Sequence, residues 1–257
     1  MYPFIHIGPI TLGTYGLMVA TALICAFFVL RADFVRRGIS ADAEAIIGIT
    51  GLAGLAGSRL YHLLESPAEF FANPWPQLFS TMGFAFFGAV LGGFIALLVL
   101  AWRFRIPSLL LLDTASPAAA LGYGIGRIGC LISGDGDYGK PTTLPWGMSF
   151  PNGIVPTTER VHPTPIYEFL VALVIFWILW KLGARCFKSR APYGIVFSAY
   201  LVLSGIARFL VEIIRINPKT FYGMTNAQTA SVVSIVAGII LFVSVSRRNV
   251  PLSTRRA

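Results

Sequence analysis

Gly122–Gly139 reads GYGIGRIGCLISGDGDYG, and the fold follows from how this stretch is understood. An apolar run beginning near Leu109 leads into it, so Arg127 falls at the far end of a segment that otherwise reads as membrane-spanning. The run then leaves through glycines, Asp135, Asp137 and Tyr138. A charged side chain at membrane depth is costly, and it marks a functional site whose partner has to be found. Gly124-Ile125-Gly126-Arg127-Ile128-Gly129 matches GxGxxG in its letters alone. A dinucleotide fingerprint follows a strand and opens a helix, whereas this one lies inside a spanning run. Its glycines serve close helix packing and close approach of backbone to a ligand.

The surrounding chain has the composition of a membrane protein. Of its 257 residues 56% are hydrophobic and 12% charged, about half the charged share of a soluble domain. Mean hydropathy is +0.74. Seven apolar segments stand out: Leu12–Leu30, Ala45–Leu64, Phe84–Trp102, Leu109–Cys130, Ile166–Leu182, Gly194–Ile214 and Ala227–Ser246. Each is long enough to cross roughly 30 Å of hydrocarbon as a helix. None alternates as a barrel strand would. The expected fold is an all-α integral membrane protein, a single polytopic domain over residues 1–257 with seven transmembrane helices. The first segment lacks a basic n-region and a small-residue cleavage site, so it reads as a retained span.

The basic residues set the orientation. Thirteen fall in the first, third and fifth connections and the tail, four on the opposite side, and Arg59, Arg127 and Arg208 within the spans. The positive-inside rule then places the N-terminus outside and the C-terminus in the cytoplasm. The net charge of +9 thus belongs to a membrane face, and nucleic acid is not an expected partner. Cys25, Cys130 and Cys186 fall at different depths and imply no disulfide framework. No Cys/His spacing of metal type occurs, so neither a metal nor a cofactor is expected.

With this orientation Arg59, Arg127 and Arg208 all lie in the outer third of their helices, and Tyr15 lies at a similar depth. Three cations at one level need anions. Glu212, four residues after Arg208, shares its helical face. A guanidinium cluster at that depth suits a phosphate, which Arg contacts through a planar fork, and a phospholipid headgroup is the ligand at hand. The 34-residue connection Leu131–Thr164, rich in Gly, Pro and Thr, reads as an ordered cap on the outer face between helices four and five. Asp135 and Asp137 serve there as turn formers or as groups orienting Arg127. Asp113 reads as a structural polar contact, and Pro117 as the site of a kink. His62, three residues after Arg59, and His162, before Pro163, are candidate bases, because an imidazole is the side chain suited to proton transfer near neutral pH.

Taken together, these stretches resemble the prolipoprotein diacylglyceryl transferases of bacterial inner membranes. The likeness rests on Tyr15-Gly16-Leu17-Met18, Gly57-Ser58-Arg59-Leu60, Gly126-Arg127-Ile128-Gly129 running into Gly134-Asp135, and Tyr138-Gly139. It continues through His162-Pro163-Thr164-Pro165-Ile166-Tyr167-Glu168 and Arg208-Phe209-Leu210-Val211-Glu212-Ile213-Ile214-Arg215. The resemblance implies transfer of a diacylglyceryl group from phosphatidylglycerol to the lipobox cysteine of a prolipoprotein signal peptide. The products are a thioether and glycerol phosphate. It also implies a multi-pass inner-membrane location, a site facing the periplasm, and a periplasmic excursion over residues 131–164. Arg127, Arg208, Glu212 and His62 are the expected catalytic residues. Tyr15, Arg59, Arg127, Asp135, Tyr138, Gly139, His162 and Arg215 are expected to bind substrate.

Two departures bear on the chemistry. The family often carries His-Gly-Gly in helix three, and here Phe87 stands at the His position of Phe86-Phe87-Gly88-Ala89. Cys130 replaces a common Asn, and the usual Glu appears as Asp135 followed by an inserted residue. His62 is then the candidate base. The rival readings are a phospholipid-dependent transferase with another acceptor and a non-catalytic lipid-binding protein.

Overall fold

The computed structural model describes residues 2–65, 67–79, 85–220 and 222–247. Phe84, where the third apolar segment was expected to begin, and the tail arginines Arg248, Arg255 and Arg256 lie outside the described residues. The chain forms two compact units, Met1–Asp33 with Leu112–Ala257, and Phe34–Leu111.

The first unit opens with a hairpin of β1 (Phe4–Ile7) and β2 (Ile10–Gly13), paired antiparallel with Phe4 opposite Gly13. Helix α1 (Thr14–Arg37) follows. The sequence placed the start of this span at Leu12, which instead belongs to the hairpin. It placed Arg31, Arg36 and Arg37 in a loop, whereas the helix continues through them. Helix propensity does not fall at arginine, and α1 stops only at Gly38, which takes φ +69.

The second unit contains α2 (Ala43–Glu65), the short helices α3 (Pro67–Ala72) and α4 (Pro74–Phe79), and α5 (Phe86–Arg103). Asp42 caps α2 by accepting the N–H groups of Glu44 and Ala45 at 2.9 and 3.0 Å. Helices α2 and α5 touch backbone to backbone. A Cβ at Gly57 would come 2.5 Å from the carbonyl oxygen of Gly88, and one at Gly92 would strike that of Ala53. Small residues let helices approach this closely where lipid supplies no hydrophobic drive.

The remainder of the first unit is built on α6 (Ser108–Ser133), α7 (Thr164–Lys188), α8 (Ile195–Glu212) and α9 (Asn226–Ser246). Between α6 and α7 runs a second antiparallel hairpin, β3 (Met148–Phe150) with β4 (Thr157–Val161). The fold is therefore helical with two small hairpins. Among the described residues six helices, α1, α5, α6, α7, α8 and α9, are long and apolar enough to cross a membrane. Helix α2 is as long but is diluted by four glycines, Arg59 and His62. A chain with no water to bond must pair its backbone internally, which is why these runs are helices.

Ala120, Ile175, Leu179 and Val196 join α6, α7 and α8 in one buried cluster. One side-chain cap and one backbone stop fix those helices. Asp113 on α6 accepts the N–H groups of Gly194 and Phe197 at 2.7 and 2.8 Å, satisfying the start of α8. At the other end of α6, Gly134 takes φ +63 and its N–H bonds the Cys130 carbonyl at 2.9 Å, a left-handed stop that favours glycine. Helix α6 runs as one element through Pro117.

Candidate active site

The stop at Gly134 releases the chain into a narrow strand-like path. The Gly139 N–H bonds the His162 carbonyl at 2.9 Å, and the Lys140 N–H bonds that of Ile214 at 2.8 Å. Gly139 thus threads between the residues before α7 and those after α8. A Cβ there would lie 2.7 Å from the His162 Cβ and 2.9 Å from the Ile214 oxygen, so only glycine fits. Tyr138 is buried in a stack on Phe150, ring centroids 4.0 Å apart, and its hydroxyl donates to the Val155 carbonyl at 3.1 Å. Burial raises that phenol's pKa. These contacts hold Asp137, and the Thr164 hydroxyl clamps its carbonyl at 2.5 Å.

Asp137 stands between two guanidiniums, bonding Arg127 through one oxygen and Arg215 through the other. Burial works to raise its pKa, but the attraction of Arg127 and Arg215 outweighs burial and holds the carboxyl below the usual carboxylate range. Arg215 shows the mirror image. Burial opposes its charge, while Asp137 and then Glu168 favour it, leaving its pKa above the usual arginine value.

Glu168, one turn into α7 and 4% exposed, is the hub. It meets Arg208 Nη1 at 2.7 Å, Arg215 Nη1 at 3.4 Å and Arg127 Nε at 3.6 Å, and it accepts the Tyr123 hydroxyl at 2.5 Å. The Tyr123 ring also lies 4.8 Å from the Arg127 guanidinium carbon. Glu212 holds Arg208 Nη2 at 3.0 Å, as its i,i+4 spacing required, and takes a hydrogen bond from Asn217 at 2.5 Å. Arg127, Arg208 and Arg215 therefore balance Asp137, Glu168 and Glu212, three charges against three. Breaking one buried pair would strand its partner at about 3–5 kcal/mol.

The structure thus brings Arg127, Arg208, Glu212 and Arg215 together, with Asp135 and Tyr15 near Arg127. Tyr15, in the first turn of α1, is half exposed. His162 lies in a neighbouring network, its Nδ1 3.2 Å from the Tyr167 hydroxyl, which also accepts the Trp146 indole N–H at 2.8 Å. Arg59 and His62 are on α2 in the other unit. Arg59 is buried, and His62 lies 3.9 Å from Glu65. Phe87 opens α5 with its ring partly exposed.

Cys130, Asp135 and Asp137 bring possible ligand atoms within 4.8 Å of one another. Both Asp137 oxygens already face guanidiniums, so a divalent cation there would meet Arg127 and Arg215 at contact range.

Two members of the site were missed in the sequence. Glu168 is the sole acid of an apolar helix, the same signal that singled out Arg127. Tyr123 precedes Arg127 by one helical turn. Asp137 reads in the sequence as a turn former or a group orienting Arg127, and it meets that arginine.

The family model described as prolipoprotein diacylglyceryl transferase matches residues 3–244. A phosphatidylglycerol–prolipoprotein diacylglyceryl transferase from Clostridium tetani is 34% identical over 89% of this chain and 91% of its own length. One from Geobacter sulfurreducens is 33% identical over 96% of each. One from Nitrosospira multiformis is 32% identical over 98% of this chain and 88% of its own. With such a match along nearly its entire length, the chain belongs to the prolipoprotein diacylglyceryl transferase family.

Proposed function

We propose that this protein transfers the diacylglyceryl group of phosphatidylglycerol to the thiol of a lipobox cysteine in a prolipoprotein signal peptide. The reaction forms a thioether and releases glycerol phosphate. The observation that carries this reading is the convergence of Arg127 and Arg208 on one carboxylate, Glu168. Both guanidiniums are half-buried at the edge of apolar helices, and their orientation is set before any ligand arrives.

An arginine offers five N–H donors, so neither fork is exhausted by its carboxylate bonds. The lipid phosphate takes the remaining donors of Arg127 and Arg208. Arg215, Asp135, Tyr138, Gly139 and His162 frame the headgroup side, and Tyr15 bonds near the headgroup. Glu212 keeps Arg208 aimed. The thiolate attacks the glyceryl carbon bonded to the phosphate oxygen, and the C–O electron pair leaves with the phosphate. Guanidiniums already in place stabilise that developing charge without reorganising. In the sequence reading His62 is a candidate for the base that takes the thiol proton, and Asp135 is weighed against it below.

The basic residues support seven spans in a bacterial inner membrane, α2 among them, with the N-terminus outside and the C-terminus cytoplasmic. The 131–164 excursion then covers a site open to the periplasm, where both substrates arrive from the membrane.

The test is glycerol phosphate release by purified protein given phosphatidylglycerol and a lipobox peptide. Wild type is expected to release it in step with thioether formation, and Arg127→Ala to lose the activity. Release without thioether, or full activity in Arg127→Ala, would overturn the reading.

A further inference from the structure

We propose that Asp135 is the residue that takes the proton from the acceptor thiol. The assignment rests on the transferase reading above and puts Asp135 in place of His62 as its base.

The argument starts from the ion pairs. Asp137, Glu168 and Glu212 are each bound to arginine, and each is consumed as a counter-ion. To accept a proton, any of them would have to release a buried guanidinium. Asp135 differs. Among the described residues it enters no ion pair, and the hydrogen bond to its Oδ1 comes from the Asp137 backbone N–H at 3.2 Å. It stands in the first residues after α6, half-buried, at the edge of the arginine cluster. It can therefore change protonation without dismantling the phosphate clamp.

Its neighbours suit it to a thiol. The Cys130 sulfur and an Asp137 oxygen both lie within 4.8 Å of an Asp135 oxygen. The site already accommodates an S–H group beside this carboxylate. The charged and titratable groups that face it are Arg127 and Cys130 from α6, Asp137 and Tyr138 from the connection, and Tyr15 from α1. Burial, followed by the adjacent Asp137 charge, raises its carboxyl above the usual range. A carboxylate so placed is a stronger base than one held by arginine, and it lies closer in pKa to the thiol it must deprotonate.

The step balances as follows. The acceptor S–H gives its proton to Asp135, and the sulfur pair forms the S–C bond to the glyceryl carbon. The C–O bond breaks with its pair going to the phosphate oxygen, beside Arg127 and Arg208. Asp135 then passes the proton to solvent or to the departing glycerol phosphate.

The experiment follows release from full-length protein in phosphatidylglycerol micelles with a lipobox peptide, between pH 6 and 9.5. Asp135→Asn keeps the shape of the side chain and removes the base. Its rate at pH 7 is expected to fall about 10²-fold, the low end for general base catalysis, with KM for the phospholipid within about twofold. The deficit is expected to shrink toward high pH, as a free thiol of pKa about 8.5 ionises unaided. Asp135→Glu is expected to recover most of the rate and the wild-type pH profile. An equal loss at every pH would make Asp135 a structural residue and overturn the assignment. So would a wild-type rate in Asp135→Asn, or a pH-dependent rescue found in His62→Gln in its place. An inactive wild type overturns the transferase reading itself, and the assignment with it. An active wild type with an unchanged Asp135→Asn profile overturns the assignment alone.

Discussion

Helix α6 buries a charge near each end, and the two are satisfied in different ways. Asp113 gives its oxygens to backbone N–H groups at the start of α8. Arg127 gives its guanidinium to the side chains of Asp137 and Glu168. Backbone donors at a helix start are fixed by the helix and admit no substitute, so the first arrangement holds structure. Side-chain carboxylates leave guanidinium donors over for another anion, so the second arrangement is a site. The two are also linked in register. Arg127 follows Asp113 by fourteen residues, and Arg208 follows Gly194 by fourteen, a rise of about 21 Å along each helix. The cap at one end therefore sets Arg127 and Arg208 level at the other, where Glu168 joins them.

If spare guanidinium donors mark the site, the largest effect belongs to Arg127→Lys. The charge remains but the planar fork is lost, and release of glycerol phosphate is expected to fall about 10²–10³-fold, the cost of one misplaced electrostatic donor. Thermal stability should change far less. Activity near wild type would show that only charge is needed, and the distinction between the two ends of α6 would fail.

Glu168→Gln comes next and acts on both stability and activity. It leaves three arginines facing two carboxylates and removes the acceptor of the Tyr123 hydroxyl. A loss of about 3–5 kcal/mol in unfolding free energy is expected, read by denaturation in detergent, together with weaker retention of Arg208 in its working position. Loss of activity with unchanged stability would mean that Glu168 meets substrate and is not a counter-ion.

Asp113→Asn tests the opposite end. One oxygen survives, and an NH2 group now faces a backbone N–H. Losing one hydrogen bond to a buried charge costs about 1.5–3 kcal/mol. Because the cap sets register and does not touch substrate, kcat is expected to fall modestly with KM for the phospholipid held. A selective rise in KM would place Asp113 in lipid binding and break the comparison.

The two ends were unequally legible in the sequence. Arg127, Arg208 and Glu212 showed themselves as charges in apolar runs, and the spacing of four between Arg208 and Glu212 gave a pairing that needs no tertiary knowledge. Asp113 was readable as a structural polar group, but its partner lies eighty-one residues away. Glu168 was hidden for the same reason, since Arg215 reaches it across forty-seven residues, and so was the link of Asp137 to Arg215, across seventy-eight. Periodicity reports a helix face and not what faces it. Helix ends were misjudged wherever polarity and helicity part company, as in α1, which carries its arginines beyond the apolar run. The hairpins escaped notice because four-residue strands leave too little pattern.

The smallest expected effect concerns acid. Asp137 has a folded-state pKa below its unfolded value of about 3.9, so its contribution to stability is complete above that value. It is lost as pH falls through the lower folded pKa. Asp135, raised by burial, runs the other way. Its contribution is present below the unfolded pKa and is lost as pH rises through the folded one. Wild-type stability should therefore ease slightly as pH rises through the raised Asp135 value, and drop below about pH 4 as Asp137 titrates. Asp137→Asn is expected to flatten the acid drop, and Asp135→Asn to flatten the upper slope, each by about 1.4 kcal/mol per unit of pKa displacement. If Asp137→Asn kept the full acid drop, the bridge between Arg127 and Arg215 would not be what holds that carboxylate ionised. The charge balance of the site would then have to rest on Glu168 and Glu212 alone.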